Sequence, residues 1–312
     1  MGRGASKPVG FRDVDGILLL NKPLGISSNK ALQMARHLFQ ANKGGHTGSL
    51  DPLASGMLPI CFGEAAKFSS YLLDASKSYR AICHLGQTTS TGDAEGVVTT
   101  ESPVNVSDAD IAVVLEALTG SIEQIPPMYS ALKHQGQPLY RLARKGKEVE
   151  RAARSIEIYK LSQISFDGIQ LEIEVHCSKG TYIRTLAEDI GTALGCGAFV
   201  SLLERKAVHP YWQQPSYTLD YLTELAEQGL DVIDQCLLPV NSALSDLQEL
   251  TIDAAAVDLL KNGVAVEVGF NSRKAGHSSI LSLVAENGEF IGIGKTLSNG
   301  LIAPKRLMNT AR

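Results

Sequence analysis

GGHTGSLDPLASGMLPICFG, residues 44 to 63, joins a bare loop to an apolar run, and the rest of the chain is ordered around it. Asp51 stands between Leu50 and Pro52, with glycines at 44, 45, 48, 56 and 63 and with His46 five residues upstream. Proline restricts the residue before it, so Pro52 biases Asp51 towards an extended backbone and presents its carboxylate. The uninterrupted apolar run from Met57 to Phe62 has the length and composition of a buried strand.

Upstream, Val14 to Leu20 is a second short apolar run, closed by the turn sequence NKPLG. Ser27, Ser28 or Asn29 can cap the helix that follows, where Leu32, Ala35, Leu38 and Phe39 recur at helical spacing. Downstream, Ala65, Phe68 and Leu72 mark the inner face of a helix over residues 64–73. Tyr79, Ala81, Cys83 and Leu85 then alternate with Arg80, Ile82 and His84, the pattern of a strand with one buried face. A polar loop, GQTTSTGDAEG, leads to a helix over about residues 108–119.

IPPMYSALK opens a segment of nearly thirty residues that is longer than ordinary connections and is therefore functional or mobile. Asp167-Gly168 between two strand-like runs is a strong hairpin signal. CSKGTYIRTLAEDIGTALG is a strand-to-helix junction with Tyr182 and Arg184 at the helix start, and residues 199–208 return to strand, with Leu203 and Arg205 on one face. From Thr251 the texture changes to a short helix and short strands with turns at Asn287-Gly288 and Asn299-Gly300, which implies a small β-barrel or sandwich. The expected organisation is a flexible basic arm over residues 1–12, a main domain over 13–250 and a small domain over 251–312.

With 44% hydrophobic and 20% charged residues in 312, the chain has the composition of an ordinary globular protein. No apolar run approaches the roughly 20 residues of a membrane helix, and no apolar core follows the first basic residues, so a cytoplasmic protein without membrane contact is expected. The five cysteines are scattered without a C-x-x-C, which suits reduced core thiols. A net charge of −4 speaks against a nucleic-acid partner, but its distribution does not. Lys133, Arg141, Arg144, Lys145, Lys147, Arg151 and Arg154 cluster with Tyr129, His134 and Tyr140 against only Glu148 and Glu150. Such a run is either a solvated face or a surface for RNA.

Familiar cofactor machinery is missing. FIGIGKT, residues 290–296, ends like a P-loop, but Glu289 occupies the position of the required glycine. GCGAFV, residues 195–200, lacks the third glycine of a dinucleotide fingerprint, and H-x-E with P-C-x-x-C is absent. Cys83 and His84 point to opposite faces of one strand, a poor metal geometry. No cofactor and no metal is implied. What remains is acid chemistry carried by side chains, with Asp51 the leading nucleophile or base; an isolated Asp in a glycine loop is otherwise a turn residue.

GGHTGSLDPLASGMLPICFGEAAKF, SKSYRAICHLGQTTSTGDAEG, IPPMYSALK and CSKGTYIRTLAEDIG together resemble the consecutive motifs of TruB-type tRNA pseudouridine synthases, which convert uridine 55 in the TΨC arm of tRNA to pseudouridine. DGILLLNKPLGISSN resembles the opening motif of that family, and the last sixty or so residues resemble, in architecture, its PUA-type RNA-binding domain. The resemblance implies an α/β (α+β) fold: a large mixed, mainly antiparallel sheet flanked by helices and crossed by an RNA-binding cleft, followed by a small C-terminal β-barrel. It also implies a tRNA substrate, no cofactor, and a monomer without an obligate protein partner.

By the same resemblance Asp51 is the catalytic aspartate, in a reaction that breaks N1–C1′, turns the uracil and joins C5 to C1′. A carboxylate suits addition to the sugar, addition to the base, or abstraction of a sugar proton, and the sequence leaves the three open. Arg184 is the matching arginine; at about 4 Å and an effective dielectric near 20 it would attract Asp51 by roughly 4 kcal/mol before desolvation. Its bland alternative is a helix pair with Glu188. Tyr79 would stack on the uracil and help move the C5 proton, and Tyr182 and Leu203 would border the base; all three are otherwise core. His46 would fill the space left by the flipped uridine, Lys22 would be a structural or loop contact, and Asp93 a polar contact near the flipped nucleotide. The basic insertion, about residues 127–155 with Arg141, Arg144 and Lys145, would close over the RNA stem-loop. Two rivals stand beside this expectation: an RNA chaperone without chemistry, and a glycosidase using Asp51 with Asp93.

Overall fold

The computed structural model describes residues 10–267 and 279–309. Eight strands and four helices organise the main domain: β1 (Gly16–Lys22), α1 (Ser28–Leu38), β2 (Ala54–Phe62), β3 (Lys77–Leu85), α2 (Asp108–Ala117), β4 (Gly120–Gln124), β5 (Arg154–Phe166), β6 (Gln170–Cys177), α3 (Ile183–Ala193), β7 (Ala198–Val208), α4 (Leu219–Gln228) and β8 (Leu237–Leu238). The strands lie in the order β8-β1-β2-β7-β3-β6-β5-β4, and the short strand Gly44–His46 pairs with β2. The α+β architecture with a large, mainly antiparallel sheet is as expected.

Burial explains why the strands carry different patterns. In β1, Leu18 and Leu20 join the core under α1 to α4, while Ile17 and Leu19 join a second core on the opposite face. A strand buried on both faces reads as a continuous apolar run. In β3 only one face is covered, so Tyr79, Ala81, Cys83 and Leu85 are buried and Arg80 is exposed. The helices supply Ala31, Leu32 and Ala35 from α1 and Leu186, Ala187 and Ile190 from α3. Each large aliphatic side chain so buried contributes about 1.5–3 kcal/mol relative to exposure. Ser27 caps α1, its hydroxyl accepting from Lys30 N–H, and the Asp167 carboxylate accepts from Ile169 and Gln170 N–H in the β5–β6 turn. All five cysteines are free and buried.

Residues 1–9 of the expected arm lie outside the described residues. Its end differs from the expectation of a flexible arm: Arg12 holds Asp234 with two hydrogen bonds and bridges to Ala41. The helix expected over residues 64–73 begins as a 3-10 turn, Gly63–Phe68, and becomes α-helical at Ser69–Asp74.

The C-terminal strands β9 (Gln248–Ile252), β10 (Ile280–Ala285), β11 (Phe290–Thr296) and β12 (Ile302–Leu307) pair in that order, β9 parallel to β10 and the rest antiparallel. Among the described residues this is an open four-stranded sheet rather than a closed barrel. It packs on the main domain through Phe68 against Phe290, with ring centroids 5.4 Å apart, and through Lys67 Nζ, which donates to Leu307 O at 2.9 Å.

One junction of the main sheet differs from the others. β7 runs antiparallel to β3 along its length, but it pairs in parallel with β2, and only over Leu203–Ala54, Glu204–Ser55 and Arg205–Gly56. Earlier along β7, the edge that β2 does not reach is taken by the polar loop: Val200 N–H donates to Gly92 O and Ala94 N–H to Val200 O, both at 3.1 Å. The edge of β7 therefore changes partner between Val200 and Leu203. Asp93 lies at one side of that change, and Asp51, three residues before β2 begins, at the other.

Candidate active site

Asp51 is held by its neighbours. The Ser28 hydroxyl donates to Leu50 O at 2.9 Å and accepts from Leu50 N–H at 2.7 Å, while Gly25 N–H donates to Pro52 O at 2.8 Å. Lys22, fully buried, folds the turn that presents Gly25, its ammonium donating to Pro23 O and Ile26 O at 2.8 Å each. The loop thus fixes the residue on either side of Asp51 and leaves its side chain 45% exposed.

Arg184, in the first turn of α3, reaches both acids at the partner change. Its Nη2 lies 3.1 Å from Asp51 Oδ2 and its Nη1 3.2 Å from Asp93 Oδ2. The guanidinium also donates to Tyr129 O at 2.6 Å and Thr91 O at 3.0 Å, so both terminal nitrogens are engaged and the arginine is almost fully buried. Glu188, the alternative helix partner, lies within its electrostatic reach without an ion pair. Burial raises the pKa of Asp51 above the ordinary carboxylate value; Arg184 is the largest influence in the other direction, Asp93 adds to the rise and Lys22 opposes it.

Asp93 departs from the expectation of a contact near a flipped nucleotide. Its side chain is 4% exposed and is used up by the Thr91 hydroxyl, Glu95 N–H and Arg184. A carboxylate behind the guanidinium holds the arginine in place and has no free face for a substrate. A glycosidase pair needs its two carboxyl groups on either side of the scissile bond, and this placement does not provide it.

Tyr79 on β3 and Leu203 on the adjoining β7 are buried, 8% and 7% exposed, and Tyr79 lies within the electrostatic reach of Asp51. Tyr182 is half-buried, one residue before α3. His46 sits in the short strand opposite Ile60, with Nδ1 buried and unpartnered; burial lowers its pKa, which favours the neutral ring. Arg141, Arg144 and Lys145 are exposed on the insertion, and among the described residues none pairs with a carboxylate; the first two lie 6.0 and 5.7 Å from the Tyr140 ring.

Sequence reasoning does not assign Arg205 a role, though its place beside Leu203 on the inward face of a strand is the available signal. It is 1% exposed, and its guanidinium donates to Met57 O at 2.7 Å and Gly48 O at 3.0 Å. The positive charge of Arg205 opposes the rise that burial causes in the Tyr79 pKa. Arg205 ties β2 to the Asp51 loop, and it stands opposite Tyr79 in the pairing of β7 with β3. Gly56 permits this: at φ +102° a Cβ would lie 2.2 Å from Arg205 O.

This geometry can be set beside known proteins. Three family models match: the N-terminal domain of TruB family pseudouridylate synthases over residues 36–183, a tRNA pseudouridylate synthase B C-terminal domain over 184–245, and a pseudouridine synthase II TruB C-terminal model over 249–308. A tRNA pseudouridine synthase B of Methylobacillus flagellatus is 49% identical over 96% of this chain and 97% of its own length. Another, of Yersinia enterocolitica, is 49% identical over 95% of this chain and 92% of its own. Among solved structures, a chain in a Cbf5-Nop10-Gar1 complex superposes with a TM-score of 0.70 at 25% identity, covering 94% of this chain and 84% of that one.

Proposed function

Since the chain belongs to the TruB family of pseudouridylate synthases and is an isomerase of that kind, we propose that its substrate is uridine 55 in the TΨC arm of tRNA and that Asp51 carries the exchange of the glycosidic bond. The observation that supports this most is one buried guanidinium holding a partly exposed carboxylate at 3.1 Å, with the buried Tyr79 within that carboxylate's electrostatic reach.

The reaction needs no redox change: the N1–C1′ bond breaks, C5–C1′ forms, C5 loses a proton and N1 gains one. A uridine turned out of the stem would lie on Tyr79 and Leu203 with Tyr182 at its edge, and stacking there offsets the few kcal/mol of unstacking. His46, neutral and in the same loop as Asp51, would occupy the space left in the stem. Each route open to Asp51 uses its ionised form, which Arg184 favours against burial. Lys22 and Asp93 act through others, the first on the turn under Pro52 and the second on Arg184.

In the proposed organisation residues 13–250 are catalytic and 251–312 form a PUA-like RNA-binding domain, in a cytoplasmic monomer; no helix among the described residues is long and apolar enough to cross a membrane. Incubation with an unmodified tRNA transcript should give pseudouridine at position 55 and none in a transcript with cytidine there. Failure to form pseudouridine, or release of free uracil, would reject the function.

The insertion supplies the electrostatic grip. RNA stem-loops are recognised largely by shape and backbone, for which exposed cations beside Tyr140 are suited. Replacing Arg141, Arg144 and Lys145 together by Ala should weaken tRNA binding and flatten its log–log salt dependence, by about 0.7–0.9 for each phosphate that is no longer neutralised. An unchanged slope, measured by titration at several salt concentrations, would mark the segment as an ordinary solvated face.

A further inference from the structure

At the root of the basic insertion, Gln124 ends strand β4 as a buried side chain, 2% exposed. Its amide faces the main chain of Tyr182 across 58 positions of sequence: Oε1 accepts from Tyr182 N–H at 3.0 Å and Nε2 donates to Tyr182 O at 3.3 Å. The Asp189 carboxylate, about two turns further along α3, lies near enough to this amide for it to oppose the rise that burial causes in the Asp189 pKa. Only a carboxamide offers an acceptor on one branch and two donors on the other, so its chemistry fits both peptide groups of Tyr182. Five residues later Tyr129 O accepts from Arg184. Both ends of the short stretch that opens the insertion are therefore bonded to the start of α3, where Tyr182 and Arg184 stand.

Tyr182 precedes α3 with φ −102° and ψ 109°, and no side chain caps the helix there. The direction of its phenol, and the entry of the chain into the turn that carries Arg184, depend on what grips its peptide groups. We infer that Gln124 is a positioning residue for isomerisation: it fixes the Tyr182 backbone, and through it the placing of Tyr182 and Arg184 against Asp51, and it links that placing to the segment that holds the RNA. The inference rests on the synthase activity proposed above.

Gln124→Glu and Gln124→Met separate this role from packing. Glutamate keeps the acceptor for Tyr182 N–H but sets an anionic oxygen against Tyr182 O and Asp189, whereas protonated it restores a donor; methionine keeps the volume and removes every bond. The charged groups around the site are Asp189 and Arg184 on α3, Arg154 opposite on β5, and Asp51. Both variants should lower kcat on tRNA by about 30-fold or more at pH 8, with KM changed less than about threefold, because the insertion still binds. Between pH 8 and pH 6 the Glu variant, but not the Met variant, should regain about tenfold relative to wild type.

Wild-type turnover measured alongside keeps the two claims apart: an inactive wild type rejects the function, whereas an active wild type with unchanged kcat in the Glu variant overturns the role of Gln124. A Glu variant that is impaired but has the pH profile of wild type also overturns it. Should the Met variant fail to fold, the Glu variant compared at its two pH values is sufficient, since both arms share one fold.

Discussion

Asp51→Asn is expected to abolish pseudouridine formation, with a fall in kcat of about 10⁴-fold or more, while tRNA binds as before. The amide keeps the shape of the side chain and removes the charge on which every route for Asp51 depends. Its neighbours are fixed through backbone groups, Leu50 by Ser28 and Pro52 by Gly25, so the loop should persist. The stability of the variant carries a sign of its own. Burial raises the Asp51 pKa despite Arg184, so the fold disfavours the ionised form relative to the unfolded chain. A neutral side chain should then leave the melting temperature unchanged or raise it above pH 5. Single-turnover assays and thermal unfolding check the two halves; wild-type turnover by the variant would remove Asp51 from the chemistry.

Arg184→Met should be nearly as damaging to activity, about 10³-fold, and more damaging to the fold. The arginine is 6% exposed and Asp93 4%, so removal of the cation strands a buried carboxylate at a cost of about 3–5 kcal/mol. Adding Asp93→Asn should restore much of that stability and little of the activity. Arg184→Lys keeps the charge but presents a point donor where two carboxylates and two carbonyls share a planar fork. Weaker support for ionised Asp51 moves its pKa further up, so the acid limb of the activity profile should shift to higher pH. A limb that stays in place would mean that Arg184 does not govern the ionisation of Asp51. Activity across pH 5–8 and denaturant melts test both variants.

The fold is largely legible in the sequence because its signals are local. Residues 57–62 and 17–20 are apolar runs since β2 and β1 are covered on both faces, and the alternation in β3 follows from its single covered face. The Asp167-Gly168 turn carries its own hydrogen bonds. Asp51 and Arg184 are legible only through collinear motifs, since nothing in spacing alone brings position 184 to position 51. Ser28, Arg205 and Gln124 are silent because each acts on backbone groups distant in sequence, and a serine, an arginine or a glutamine carries no mark of which carbonyl it will meet. Asp93, expected as a polar contact near the flipped nucleotide, is paired with Arg184: a sequence shows that an acid is present, not which guanidinium it will meet. The barrel expected at the C-terminus rests on short strands and Asn-Gly turns, which an open sheet uses equally well.

The place where β7 exchanges one neighbour for another holds only three registered positions, and Arg184 with its two acids lies across it. Cohesion between the two flanks of the molecule and the chemistry of the cleft thus draw on the same side chains. Selection for thermal tolerance cannot act freely there, because a substitution that tightened the joint would also change the ionisation of Asp51. Room for adaptation lies elsewhere, on the exposed back of β3, β5 and β6 or in the C-terminal sheet, and homologues suited to different temperatures should diverge on those surfaces first.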